Sequence, residues 1–243
     1  MKYLKFSLLF ISVIFFSLAA NAAISKQDMA NVINKAGKQR MLTQKMTKEV
    51  MFITLNIDTE INQDELEGTI ELFDKTLNGL INGDSYLGLV KTTNADILAK
   101  LKEVENLWKP FQEKVTAVLT GNSSPEILMA INQQNILLLK KMNEAVKAFE
   151  KEGGSIFEPK LANIINKAGK QRMLIQKMTK ELLLVAKEIE AETNKTNLTN
   201  SVAEFEKVLT ELSANTINES IAAQLEKIQK KWAKYKPILD AVD

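Results

Sequence analysis

The side chains with the most chemistry in this sequence stand in a stripe that occurs twice: Asn34, Gly37, Arg40, Gln44 and Thr47, then Asn166, Gly169, Arg172, Gln176 and Thr179. Steps of three or four residues put each set on one narrow helix face. Arg40 and Arg172 carry permanent charges, and a planar guanidinium fork suits a carboxylate, nitrate or other oxyanion bidentately. A glycine inside a strong helix costs about 1 kcal/mol relative to alanine. Its missing side chain lets another backbone or a ligand come close. Gln44 and Gln176 add a neutral donor or acceptor one turn later. If the two helices pack together, Arg40 and Arg172 converge across a pseudo-two-fold axis. Two such cations in a partly buried seam repel, and a small anion between them would supply the missing charge. The structural alternative pairs Arg40 with a glutamate elsewhere and leaves Gly37 to permit close helix packing.

The elements that must position these groups are themselves repeated. Residues 31–50 recur as residues 163–182 with 17 of 20 positions identical at an offset of 132, while residues 69–80 against 201–212 keep 4 of 12. The selective retention of one polar, Gly- and Arg-bearing segment points to a shared site more than to a core. Beside the polar stripe runs an apolar seam at a/d spacing, from Val32 through Ala36, Gln39, Thr43, Met46 and Val50, with Ile164 through Leu182 as its counterpart.

Long segments with apolar residues at three- and four-residue spacing and few Gly or Pro read as helix throughout. Seven helices are expected: about Lys26–Asp58, Gln63–Ile81, Asn94–Leu119, Ser123–Lys151, Glu158–Ala191, Asn197–Ser213, and Ile217 to the C-terminus. Pro110 should kink or break the third, because it lacks an amide donor and clashes with the preceding turn. Ser123-Ser124-Pro125-Glu126 reads as a capping box opening the fourth. The offset falls to 124 in the third repeat helix, where Trp108 and Phe111 match Trp232 and Tyr235. The eight-residue difference lies around residues 82–88. These aromatics at helical spacing read as core. The second copy has no counterpart of the fourth helix. The expected fold is all-α, a bundle of two tandem repeats, four helices plus three. The expected units are residues 1–22 as a signal peptide, 23–152 and 160–243 as the repeats, and 153–159 as a linker.

Lys2 and Lys5, an apolar run from Phe6 to Ala20, and Ala20-Asn21-Ala22 fit an export signal cleaved after Ala22. Without those two lysines, 30 basic and 30 acidic residues remain. A formally neutral chain argues against a general nucleic-acid surface. There is no cysteine and no histidine, which removes disulfides, thiolate chemistry, the common zinc and haem ligand sets and Ser-His or Cys-His pairs. No catalytic site, metal or cofactor is expected.

The run from Ile33 to Gln44, INKAGKQRMLTQ, resembles the signature of the PilJ-like domain, the sensor region at the N-terminus of type IV pili methyl-accepting chemotaxis transducers. It is similar also to the periplasmic sensor domain of NarX-type nitrate/nitrite sensor kinases, where this segment is called the P-box. The resemblance implies a four-helix bundle in which the motif Gly and Arg bind nitrate at a dimer interface. By position these are Gly37, Arg40, Gly169 and Arg172, with Gln44 and Gln176 beside them and Asn34 and Asn166 flanking. The sequence departs from that pattern in showing no transmembrane helix, kinase linker or methyl-accepting region after the repeats. The expectation is therefore a soluble periplasmic protein that binds a small oxyanion, nitrate or nitrite, and presents the bound state to a membrane sensor kinase or chemoreceptor, with a homodimer as a further partner. The rival is an envelope interaction module, with the repeated segment as a helix-pairing surface and no small ligand.

Overall fold

The computed structural model describes residues 24–156, 158–215 and 219–242. The expected signal peptide, residues 1–22, lies outside the described residues. Among the described residues seven helices form in chain order: α1 (Lys26–Thr54), α2 (Thr59–Asn82), α3 (Ala95–Leu119), α4 (Pro125–Gly153), α5 (Pro159–Ala186), α6 (Ala191–Ala214) and α7 (Glu219–Asp240). An isolated antiparallel bridge between Asp84 and Leu89 is the one extended pairing among the described residues. The all-α bundle expected from periodicity is what the chain forms.

Helices α1 and α5 end earlier than their apolar stripes suggested, at Thr54 and Ala186. After α1 the chain turns through left-handed Asn56 and Asp58, φ 57° and 43°; after α5 it repeats the move at Glu188 and Glu190, φ 59° and 42°. Such conformations are unfavourable for residues with a Cβ and persist only when the surroundings fix them. The fixing group is the same in both copies. Asn62 Nδ2 donates to the Ile57 and Asp58 carbonyls at 3.0 and 3.1 Å, and Asn194 Nδ2 to those of Ile189 and Glu190 at 2.8 and 3.3 Å. These turns also start α2 and α6 earlier than expected.

Pro110 does not break α3, which runs continuously across it. The carbonyl that loses its amide partner belongs to Asn106, on the exposed side of the helix. The flanking Trp108 and Phe111 are anchored in the core. At α4 the N-cap is Ser124 rather than Ser123, its hydroxyl accepting from Ile127 N at 3.4 Å. The insertion after α2 folds back on α1, where Asn31 Nδ2 donates to the Leu87 and Gly88 carbonyls at 3.0 and 2.7 Å.

Two hydrophobic clusters form. The larger joins α1 to α4 and takes in Ala162, Leu183 and Leu184 of α5; the smaller holds α5, α6 and α7. Matched devices set the helix register in each. Gln39 Nε2 donates to the Phe73 carbonyl at 2.8 Å and Gln171 Nε2 to that of Phe205 at 3.0 Å. Trp108 packs 4.3 Å from Phe73 and donates to Asp74, while Trp232 packs 4.4 Å from Phe205 and donates to Glu206. Buried aromatics with a satisfied indole N–H are core. Helices α1 and α5 lie side by side and parallel. Arg40, midway along α1, meets Asn166 in the first half of α5, and Lys187 Nζ reaches the Thr54 carbonyl at their C-terminal ends.

Candidate functional site

The repeated polar stripes face each other where α1 and α5 cross. A Cβ built on Gly169 would lie 3.9 Å from the Gly37 Cα, so the two backbones approach at their glycines. Helical side chains lean toward the N-terminus. Each arginine therefore reaches back past the glycine of its own helix toward the partner helix. The same Cβ on Gly169 would stand 3.5 Å from Arg40 Nη2 and 3.6 Å from Arg172 Nη2. Both guanidinium groups thus border one small space.

Their hydrogen bonds cross over reciprocally. Arg40 Nη2 donates to Asn166 Oδ1 at 2.7 Å and to the Asn166 carbonyl at 3.3 Å, and Arg172 Nη2 donates to Asn34 Oδ1 at 2.7 Å. Arg40 Nη1 donates to Asn143 Oδ1 at 2.9 Å. All these acceptors are neutral. Among the described residues every ion pair is formed by a lysine, none by an arginine. Arg40 Nε is buried with no hydrogen-bond partner. A charge satisfied only by neutral dipoles and short of one acceptor retains unmet attraction for an anion.

The electrostatics agree with that geometry. Burial pulls the Arg40 guanidinium down to about 10; Glu150 works against this and Arg172 adds to it. Arg172 is also lowered by burial. Lys38 is held below the usual lysine value by burial first, then by Lys35, Arg172 and Lys45. Positive charge is concentrated here in a chain with no such general surplus.

The two half-sites differ. Arg40 is 1% exposed, whereas Arg172 is open to solvent. Helix α4 makes the difference: it lays Asn143 on Arg40 and sets Glu150 behind Asn166, whose Nδ2 donates to Glu150 Oε2 at 2.5 Å. Asn163 Nδ2 also donates to Glu150, at 3.0 Å. The α5–α7 unit has no equivalent helix among the described residues. Asn143 and Glu150 were missed by the sequence reading because α4 has no repeated counterpart against which they would stand out.

The structure brings Asn34, Gly37, Arg40, Asn166, Gly169 and Arg172 together. It leaves Gln44 and Gln176 apart from them, with no hydrogen bond to either guanidinium. Gln44 Nε2 donates to Thr43 Oγ1 at 2.9 Å, and the side-chain carbonyls of both glutamines are buried without a partner. The structural alternative for Arg40 is half met. A glutamate lies behind Asn166, but it acts through that amide and not by direct pairing.

The sequence matches the family described as the N-terminal domain of type IV pili methyl-accepting chemotaxis transducers, PilJ, over residues 23–133 and 158–242. No curated protein matches it. Among solved structures, the ligand-binding domain of the P. aeruginosa nitrate receptor McpN is similar at 25% identity with a TM-score of 0.45, over 50% of this chain and 95% of that one. With the family segment present on both α1 and α5, this chain belongs to the PilJ family of chemotaxis-transducer N-terminal sensor domains.

Proposed function

We propose that this chain is a periplasmic sensor protein that binds a small oxyanion, nitrate or nitrite, between Arg40 and Arg172 where Gly37 and Gly169 let α1 and α5 approach. The two repeats, residues 23–152 and 160–243 joined by 153–159, act as one sensing unit, exported by the signal at residues 1–22. A membrane sensor kinase or chemoreceptor reads the bound state. The observation that carries this reading is the pair of guanidinium groups bordering one space without a carboxylate partner. Both arginines come from a single chain, so a homodimer is not required to assemble the pair.

An anion would exchange neutral amide acceptors for a charged one. Arg40 would leave Asn166 and Asn143, and Arg172 would leave Asn34, for bonds about twice as strong. Those amides join α1, α4 and α5, so the exchange favours a different packing of the three helices. A ligand shifts such an equilibrium by its differential affinity for the two packings. The test is titration calorimetry with nitrate, nitrite, chloride and sulfate on the wild type, Arg172→Ala and Arg40→Ala. We expect one nitrate or nitrite per chain, lost in both variants. An absence of heat for the wild type with either ion would sink the proposal.

The rival reading, a helix-pairing surface without a ligand, draws on the reciprocal Arg–Asn bonds, which already tie α1 to α5. On that view Asn34→Ala/Asn166→Ala would destabilise the fold, and nitrate would have no effect on the melting temperature.

A further inference from the structure

The α5–α7 unit carries an apolar groove of about 570 Å³ that runs from Arg172 along α5 to α7. Its floor includes Ile175, Phe205, Leu209, Leu225, Ile228 and Trp232. The first repeat shows what such a groove holds. By the offsets of the repeat, Leu225, Ile228 and Trp232 correspond to Leu101, Val104 and Trp108, and Ala168 to Ala36. In the first repeat these positions are covered by α4, which packs on α1 and α3. Val104 is 0% exposed there while Ile228 is 42% exposed, and buried Ala36 corresponds to exposed Ala168. Helix α4 fills its groove with Leu128, Ile131, Leu138, Met142, Ala145 and Phe149, a heptad stripe. It also supplies Asn143 to Arg40, a contact for which Arg172 has no α4 equivalent among the described residues.

Charge separates the second groove from the first. Lys141 of α4 pairs with Glu103 of α3 at 2.6 Å. The position matching Glu103 is Lys227, and Lys231 on the groove wall stands where the first repeat has Leu107. A helix seated here would therefore meet basic side chains where α4 meets an acidic one.

We propose that this groove is a docking site for an amphipathic helix of another polypeptide, one with an α4-like heptad stripe and an acidic residue at the position of Lys141. The docked helix completes a second four-helix bundle, buries Trp232 and Ile228, and places a polar side chain on Arg172. Helix-in-groove recognition of this kind is read as anchors at three- and four-residue spacing. The acidic residue adds specificity more than affinity. The inference goes beyond the oxyanion reading and does not depend on it.

The test uses two labelled peptides, residues 125–153 of α4 and the same peptide carrying Lys141→Glu. Fluorescence anisotropy with the full chain is read in buffer free of nitrate and nitrite, so the outcome is separate from that of the anion titration. We expect saturable one-to-one binding, several-fold tighter for the Lys141→Glu peptide at low salt, and no binding of a scrambled peptide. Ile228→Lys on α7 and Ala168→Lys on α5 each alter a solvent-facing position, so the fold persists, and each should weaken binding at least tenfold. Three results would overturn the proposal: no saturable binding to the wild type, undiminished binding to both lysine variants, or no preference for the acidic peptide. So would a dimer of the chain, seen by sedimentation, that excludes the peptide and dissociates in the lysine variants, since a second copy would then be the occupant.

Discussion

Replacing Gly169 with alanine separates the two roles a glycine can have at the α1–α5 crossing. The added methyl would lie 3.5 Å from Arg40 Nη2, 3.6 Å from Arg172 Nη2 and 3.9 Å from the Gly37 Cα. All three are ordinary van der Waals contacts, so the folded chain accepts the methyl without displacement. Alanine in a helix interior is better than glycine by about 1 kcal/mol. For a chain of this size that corresponds to a rise of about 2–4 °C in Tm. Binding should move the other way. An oxyanion bridging two guanidinium groups needs its oxygens about 2.7–2.9 Å from their nitrogens. The methyl stands between those same nitrogens, and nitrate affinity should fall at least about tenfold, or 1.4 kcal/mol. Circular dichroism melts and nitrate calorimetry on one preparation read both effects. Unchanged nitrate affinity would refute the placement of the anion between the arginines. A lower Tm would show that the glycine serves backbone packing instead of leaving room for a ligand.

Further outcomes follow from groups around the site. Asn143→Ala removes the acceptor of a buried guanidinium nitrogen, and urea unfolding should show a loss of about 1–3 kcal/mol, partly restored by nitrate through mass action. Lys180 is buried against Asn135 at 3.2 Å. Burial lowers it to about 8, with Glu181 opposing and Lys177 adding. Between about pH 8 and the ordinary lysine value the unfolded chain holds the extra proton, so stability rises with pH across that window. Lys180→Met should flatten the rise and stabilise the fold at pH 7 by about 1–2 kcal/mol, net of the bond lost to Asn135. Phe73→Ala should cost about 3–5 kcal/mol in urea unfolding. Phe205→Ala should cost less, because its neighbours border the open groove and can settle into the space.

The sequence displayed the site through repetition and hid it where repetition stops. Gly37, Arg40, Gly169 and Arg172 stood out because the same types recur at the same helical spacing, and parallel packing of α1 and α5 brings them together. Asn34 and Asn166 were legible only as neighbours on that stripe. Their role as acceptors for the opposite arginine needs the backward lean of each arginine, which spacing alone does not display. Asn143 and Glu150 were invisible, since one asparagine and one glutamate on a helix full of polar residues carry no signal until α4 is docked. The early ends of α1 and α5 escaped for a similar reason. Ile57 and Ile189 continue the apolar stripe, and the amides of Asn62 and Asn194 that help hold the left-handed turns come from the following helices. Pro110 misled in the opposite sense, because the carbonyl it frees belongs to an exposed residue.

Placing both motif helices in one chain makes the half-sites unequal, and the inequality fixes the order of events. Arg40 is held by Asn143 and Asn166 and sealed beneath α4, while Arg172 has one amide acceptor and faces solvent. On the proposed reading, an incoming anion would meet Arg172 first and reach Arg40 only after α4 or Asn166 yields. Replacing each arginine in turn should expose this. Arg172→Gln removes the charge at the entrance but keeps a donor, and should slow association, most visibly at low salt, where steering is strongest. Arg40→Lys puts a single ammonium where a planar fork bonds two acceptors, and a lysine at a bidentate site is not equivalent. Its effect should fall on dissociation, and on stability even without anion. Stopped-flow kinetics on the two variants decide the point. Equal changes in both rate constants for both variants would mean that the arginines act as a symmetric pair and that α4 does not distinguish them.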